Sequence, residues 1–244
     1  MSSLIAFLNF HHQAVQSASA MAVAIVWSAA LGTVITRRVT PTVPELRWWK
    51  GAAVSAPVVL LLSVLLRNPV GGVIAAIVIP LAVYGSFVDA RTMRIPNLYN
   101  TAAVILVLAV TFVVAVTVSG AAAVIAVTAG VAVFLAFLLL ALASRNGFGM
   151  GDVKFATVIG LALTLVDTTL IPGILLPTPV GLTLLTLHLL VWISTSFVIG
   201  GVYGLVRMFR GNRAPFPFGP FLAAGWVLAA AATPAFIGLI SPLA

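Results

Sequence analysis

Between Ser17 and Ile240 the chain runs through eight apolar stretches, each near the length that crosses a bilayer, separated by short polar or proline- and glycine-containing connections. A helical span needs about 20 apolar residues. Lipid cannot satisfy open backbone N–H and C=O groups, so such stretches must be helices that bond internally. The spacing predicts spans at about Ser17–Thr36, Gly51–Leu66, Gly71–Val88, Leu98–Val118 and Ala121–Ala143. A sixth runs from Val153 to between Val166 and Ile171, and two more cover Val180–Val206 and Phe218–Ile240. Pro80 predicts a kink in the third, because proline removes one bond of the helical ladder. Only 7% of the residues are charged, against roughly 25% in a soluble domain. No connection is long enough to form a separate soluble domain. The expected fold class is all-α: a polytopic membrane bundle of about eight transmembrane helices.

The basic residues set the orientation. Lys and Arg collect in cytoplasmic loops. Arg37, Arg38, Arg47 and Lys50 follow the first span, Arg91 and Arg94 the third, Arg145 and Lys154 the fifth, and Arg207, Arg210 and Arg213 the seventh. These are eleven of the twelve basic residues, and only Arg67 falls in a loop of the other set. Alternate loops lie on one side, so these four are expected in the cytoplasm and both termini outside. The net charge of +8 is thereby explained as a topology signal, and nucleic acid is not an expected partner. Trp48 and Trp49 read as interfacial anchors. The first sixteen residues carry no Lys or Arg, a poor secretory signal, so the N-terminus is expected to remain. The chain has no cysteine, which excludes disulfides, thiolate zinc sites and cysteine nucleophiles. His11 and His12 are adjacent, and neighbouring side chains on a helix do not face each other. No metal or other cofactor is expected.

There are only four acids: Glu45, Asp89, Asp152 and Asp167. A carboxylate at the mouth of a membrane helix is costly unless it is paired, hydrated or used. Asp152 follows the run Phe148-Gly149-Met150-Gly151, whose glycines allow tight turning and close approach of another chain. Asp89 stands at a span boundary on the same predicted side. Two carboxylates within hydrogen-bond reach do not both ionise and so share a proton. One can then act as general base on a water while the other donates to a carbonyl oxygen. The plainer reading makes each a helix cap or a partner for a nearby cation, Arg91 or Arg94 for Asp89 and Lys154 for Asp152. Glu45 and Asp167 read as solvated.

Two further stretches weigh on this choice. Asp89 is followed six residues later by Ile95-Pro96-Asn97, and Pro217-Phe218-Gly219-Pro220-Phe221-Leu222 leads into the last span. Alone, each is acceptable as helix punctuation. Together with Gly149-Met150-Gly151-Asp152-Val153-Lys154, and in this order, they resemble the prepilin peptidases, the type IV leader peptidase family of Gly-x-Gly-Asp membrane aspartic proteases. The similarity covers about Gly71 to Gly225. The resemblance implies that Asp89 and Asp152 are the catalytic pair. It implies removal of a short basic leader from prepilin-like membrane proteins, usually just after a glycine, at the cytoplasmic face of a bacterial inner membrane. The partners it implies are those substrates and the lipid bilayer. Residues 1–70 are expected to be an N-terminal two-helix membrane region and 71–244 the peptidase membrane domain.

Long members of the family carry a segment with two Cys-x-x-Cys pairs between their first two helices, associated with methyl transfer from S-adenosylmethionine. Here that loop is only Arg37 to Lys50 and has no cysteine, so the chain resembles the short, peptidase-only members. Gly149 and Gly151 are expected to let a substrate backbone lie beside Asp152, with Phe148 and Met150 covering the site. Pro96 and Asn97 are expected to set the turn that restarts the fourth span. Phe218, Gly219 and Pro220 are expected to bring a bent helix start to the same region. Lys154 either biases the protonation of Asp152 or snorkels to the surface. An alternative from another class is a small transporter in which the Asp pair relays protons or a cation. Such a site is expected at mid-depth between broken helices, whereas both acids lie toward one face. A protease for another substrate, or an inactive assembly subunit, completes the alternatives.

Overall fold

The computed structural model describes residues 18–19, 22–30, 48–66, 68–144, 148–170 and 178–240. All regular structure among them is helical: a segment at 22–30 (α1), then α2 (Trp48–Leu66), α3 (Pro69–Thr92), α4 (Asn97–Thr117), α5 (Gly120–Ala143), α6 (Met150–Leu170), α7 (Pro179–Phe209) and α8 (Gly219–Ile240). Seven of these, α2 to α8, are long and apolar enough to cross a membrane. The protein is a polytopic helical membrane bundle, as the length of the apolar stretches predicts. His11, His12, Glu45 and the chain ends lie outside the described residues.

Short polar caps end the helices where the sequence turns. Asn68 Oδ1 accepts from Val70 N–H at 2.9 Å and Gly71 N–H at 3.2 Å, and its Nδ2 donates to Thr169 O at 2.9 Å. One side chain thus caps α3 and ties it to the far end of α6. Ser119 and Thr178 cap α5 and α7 in the same way. Each cap satisfies a backbone donor that the helix itself cannot. α3 runs unbroken through Pro80, so the expected kink does not end the helix.

α3, α6 and α8 pack against one another at the centre, with α2, α4, α5 and α7 around them. α6 is 78% buried and α3 67%, whereas α4 and α5 are each 28% buried. In a membrane the most apolar helix, α5, can face lipid, whereas α6, the least apolar of the spans, is buried almost without interruption from Val153 to Thr168. Polar contacts join the layers. Ser55 gives its one proton to Gly51 O, so the 2.7 Å contact between Ser28 and Ser55 is Ser28 donating from α1 to α2. The Tyr99 hydroxyl donates to Leu81 O, fixing α4 on α3.

α3, α5 and α7 end, and α4, α6 and α8 begin, at one end of the bundle. Every described Arg beyond α2, together with Lys154, stands near that end. Both central acids do too.

Candidate active site

α3 carries Asp89 in its last turn, and α6 presents Asp152 in its first. The sequence suggests a loop reaching as far as Asp152, but α6 begins at Met150, so this acid is held by a helix. Asp89 and Asp152 both face a cleft of about 450 Å³, which Arg94, Pro96, Asn97, Gly149, Met150 and Gly151 also line. Asp89 is only 4% exposed.

Asp89 is met by the start of α8. Gly219 N–H donates to Asp89 Oδ2 at 2.8 Å, across 130 residues of sequence. The first four N–H groups of a helix have no partner within it, and that end of the helix dipole favours an anion. Glycine is needed here for space: a Cβ on Gly219 would stand 3.0 Å from Asp89 Oδ2 and 3.4 Å from its Cγ.

Asp152 is held by its own turn. Its Oδ2 accepts from Gly149 N–H at 3.3 Å, and its N–H donates to Gly149 O at 3.0 Å. Its Oδ1 is buried and has no hydrogen-bond partner among the described residues.

The chain between α3 and α4 closes the cleft. Met93 ends α3 in the left-handed region at φ 55°, a conformation that costs roughly 1–2 kcal/mol for a residue with a Cβ. The turn brings Ile95 back onto Gly151, where a Cβ would stand 3.3 Å from both Ile95 N and Ile95 O. On the side where a Cβ would stand, the close approach to Gly151 is made by the protein's own backbone. Pro96 caps α4 and Asn97 begins it. Lys154 Nζ donates to Asn97 Oδ1 at 2.8 Å. This contact ties α6 to α4. Because these two groups are exposed, their link is worth about 0.5–1 kcal/mol. Lys154→Met and Asn97→Ala are expected to slow turnover by less than about threefold each. The double variant is expected to be no slower than the worse single, because both remove one bond. Additive losses would show that the two act separately.

Phe148 and Phe218 join the two acid-bearing corners from behind. Their ring centroids are 4.8 Å apart, and both touch Phe197 of α7, at 5.7 and 5.0 Å. Phe148 is half-buried in this cluster, while Met150 is exposed and lines the cleft. Pro220 does not reach the cleft. It borders an apolar groove of about 210 Å³ between α2, α3 and α8, beside Ser86 and Phe87, one turn from Asp89.

Two features escaped the sequence reading. Asn100 is buried and its Nδ2 donates to Gly151 O at a long 3.4 Å. Its signal is its position three residues after Asn97, on the same helix face. Asp167, read above as solvated, is instead 2% exposed. His188 Nδ1 lies 2.7 Å from its Oδ2, and Thr233 Oγ1 donates to its Oδ1 at 3.2 Å. The reading failed because an acid three residues from a helix end looks wet until the neighbouring helices are placed.

Fold and cleft together define a multi-pass helical membrane protein with two acids facing one site near a bundle end. The chain belongs to the type IV leader peptidase family, whose family model matches residues 76–205, over half of its length. It is accordingly a peptidase of the membrane, acting on protein substrates. The match includes Asp89 and Asp152 but stops before Phe218-Gly219-Pro220, the segment that reaches Asp89 in space. Neither the curated proteins nor the solved structures compared with the chain contain a match.

Proposed function

We propose that this peptidase is an aspartic endopeptidase that removes the basic leader of prepilin-like proteins at the cytoplasmic face of a bacterial inner membrane, using Asp89 and Asp152 as its dyad. The observation that carries the reading is that these two acids, from the ends of two helices, line one cleft. The dyad holds one proton between its two carboxyl groups. The ionised carboxylate takes a proton from water as its oxygen attacks the scissile carbonyl carbon. The protonated partner gives its proton to the carbonyl oxygen. Collapse of the tetrahedral intermediate breaks the C–N bond, the leaving nitrogen takes a proton, and the dyad regains its single shared proton. Neither metal nor covalent intermediate enters this sequence of steps. Gly149, Gly151, Pro96 and Asn97 form the walls along which the substrate backbone would lie, and Lys154 braces that wall through Asn97. Phe218, Gly219 and Pro220 carry the α8 start that holds Asp89. The apolar helix of the substrate would continue into the groove beside Pro220. Ala223→Trp, which narrows that groove, is expected to raise KM about fivefold and leave kcat within about twofold; an unchanged KM would place the helix elsewhere.

The test is cleavage of a prepilin with a basic leader ending in glycine by the purified protein in detergent. The absence of cysteine throughout the chain supports a peptidase without methyl transfer. Labelled methyl groups from S-adenosylmethionine should accordingly not appear on the cleaved product. The transporter reading has no comparable support, since both acids stand at helix ends rather than at mid-depth. The orientation rests on the basic residues at the cleft end, among them Arg94, Lys154, Arg207, Arg210 and Arg213. In this cysteine-free chain, Ala214→Cys should be labelled by a membrane-impermeant thiol reagent only from inside the cell, and Val118→Cys only from outside. The reverse pattern would invert the topology.

A further inference from the structure

Gly219 must be held at one height to keep its N–H on Asp89, yet beyond the buried Leu222 and Trp226 α8 is mostly alanine through its middle. Its middle reads Ala223-Ala224-Gly225-Trp226-Val227-Leu228-Ala229-Ala230-Ala231-Ala232. Small side chains make shallow ridges, and packing through ridges and grooves is what resists sliding of one helix past another. In lipid no hydrophobic force adds to it, so directional hydrogen bonds matter more.

The buried face of α7 supplies such bonds. His188, Trp192, Ser196 and Gly200 recur every four residues and are all buried, forming one stripe along α8. His188 Nε2 meets Ala229 O at 2.9 Å, and Trp192 Nε1 donates to Leu222 O at 3.0 Å. Both acceptors are backbone carbonyls, so they read the height of α8 itself. At the outer end Asp167 of α6 completes the link, with His188 on one oxygen and Thr233 on the other.

Protons in this cluster can be counted. Ala229 O can only accept, so His188 Nε2 carries a hydrogen. One further proton lies between His188 Nδ1 and Asp167 Oδ2. Whether it sits on nitrogen or oxygen, the pair has no net charge, and the single Thr233 hydroxyl proton is shared between Asp167 Oδ1 at 3.2 Å and Ala229 O at 3.3 Å. The rest of the surrounding wall is apolar: Leu184, Leu185, Phe236 and Ile237. A neutral, hydrogen-bonded pair is what a membrane interior tolerates. Thr233 is 14 residues from Gly219, about 21 Å along the helix. Pro234 inside α8 leaves the Ala230 carbonyl without its helical donor, so the ladder is free of that break from Gly219 up to Ala229, the residue whose carbonyl His188 holds.

We propose that Asp167, His188 and Thr233 form a membrane-buried clasp that sets the axial register of α8 and thereby positions the Gly219 N–H on Asp89. They are positioning residues, and their effect on turnover rests on the peptidase reading given above.

The test combines hydrogen exchange with kinetics on the full-length protein in detergent. In Asp167→Ala, amide exchange in the peptide spanning 216–222 should quicken at least about tenfold. Exchange in α4 and α5 should be unchanged. Cleavage should show kcat lowered about tenfold with KM within about twofold. Asp167→Asn can give an N–H to His188 Nδ1 and keep an oxygen for Thr233, so it should restore both readouts to within about twofold of wild type. Unchanged exchange at 216–222 in a folded Asp167→Ala protein would overturn the proposal. So would an Asp167→Asn variant as impaired as Asp167→Ala, since that would implicate the charge and not the register. If Asp167→Ala opens the whole bundle, Thr233→Val decides: exchange at 216–222 should rise about threefold, and no rise refutes the clasp. Because exchange needs no substrate, a wild type that cleaves nothing would defeat the peptidase reading while leaving the register proposal testable.

Discussion

Asp152→Asn and Asp89→Asn are each expected to lower leader cleavage by a factor of about 10³ or more while the protein still inserts and folds. General acid–base catalysis contributes about 10²–10⁴ in rate, and in a dyad each carboxyl group serves as both acid and base during one turnover. Asparagine keeps the shape but cannot carry the shared proton. Asp152 Oδ1 has no hydrogen bond to lose among the described residues, so the Asp152→Asn protein should be nearly as stable as the wild type. In Asp89→Asn the amide oxygen of the new side chain can still accept from Gly219 N–H. Groups that act as a unit are not additive, so the double variant should be no slower than the slower single. Rates would be measured with a prepilin whose leader is basic and ends in glycine, alongside exchange protection of α6 to confirm folding. Wild-type cleavage by either single variant would remove the dyad from the mechanism.

Gly219→Val is expected to reduce kcat by about 10², and Gly219→Ala by about tenfold, with KM much less affected. The N–H survives both changes, so a lost hydrogen bond is not the cause. The new Cβ would stand 3.0 Å from Asp89 Oδ2 and 3.3 Å from Asp89 Cβ. Asp89 is 4% exposed and held by the Gly219 N–H, so either the carboxylate or the start of α8 must move. Misplacement of a catalytic group by about 1 Å can cost about 10² in rate. The branched valine forces a larger movement than alanine, hence the expected order. Phe218 offers the control. Phe218→Leu thins the aromatic cluster but adds nothing beside Asp89, so it should cost less than Gly219→Ala. If Gly219→Val cleaves at the wild-type rate, the start of α8 does not shape the catalytic carboxylate.

Much of the bundle is legible in the order of residues. α2 to α8 fall within a few residues of the spans read from apolar length, because lipid leaves a long apolar stretch no other way to satisfy its backbone. Boundaries slipped where polar residues belong to helix ends. Asp89 and Thr92 still lie in α3, and Met150 and Asp152 already lie in α6. That Asp89 and Asp152 stand toward one side of the bundle was legible from the alternation of spans and loops; that they line one cleft was not. Lys154 illustrates the limit. It stands two residues from Asp152 in sequence, yet its hydrogen bond crosses to Asn97, and nothing in the spacing of the two motifs announces that contact.

The amino-acid sequence by itself determined that this is an all-helical, multi-pass membrane protein, and it put Asp89 and Asp152 at helix ends of matching parity. These are consequences of local composition: hydrophobic length sets the spans, and charge sets the loops. Tertiary structure alone decided which backbone group meets Asp89, that Ile95 fills the space beside Gly151, and that Asp167 is buried against His188. Each of these depends on the height and rotation of one helix against another. The contacts that set them fall largely on backbone atoms, Gly219 N and Ala229 O among them, and a backbone N–H or C=O is the same in every residue that could occupy those positions.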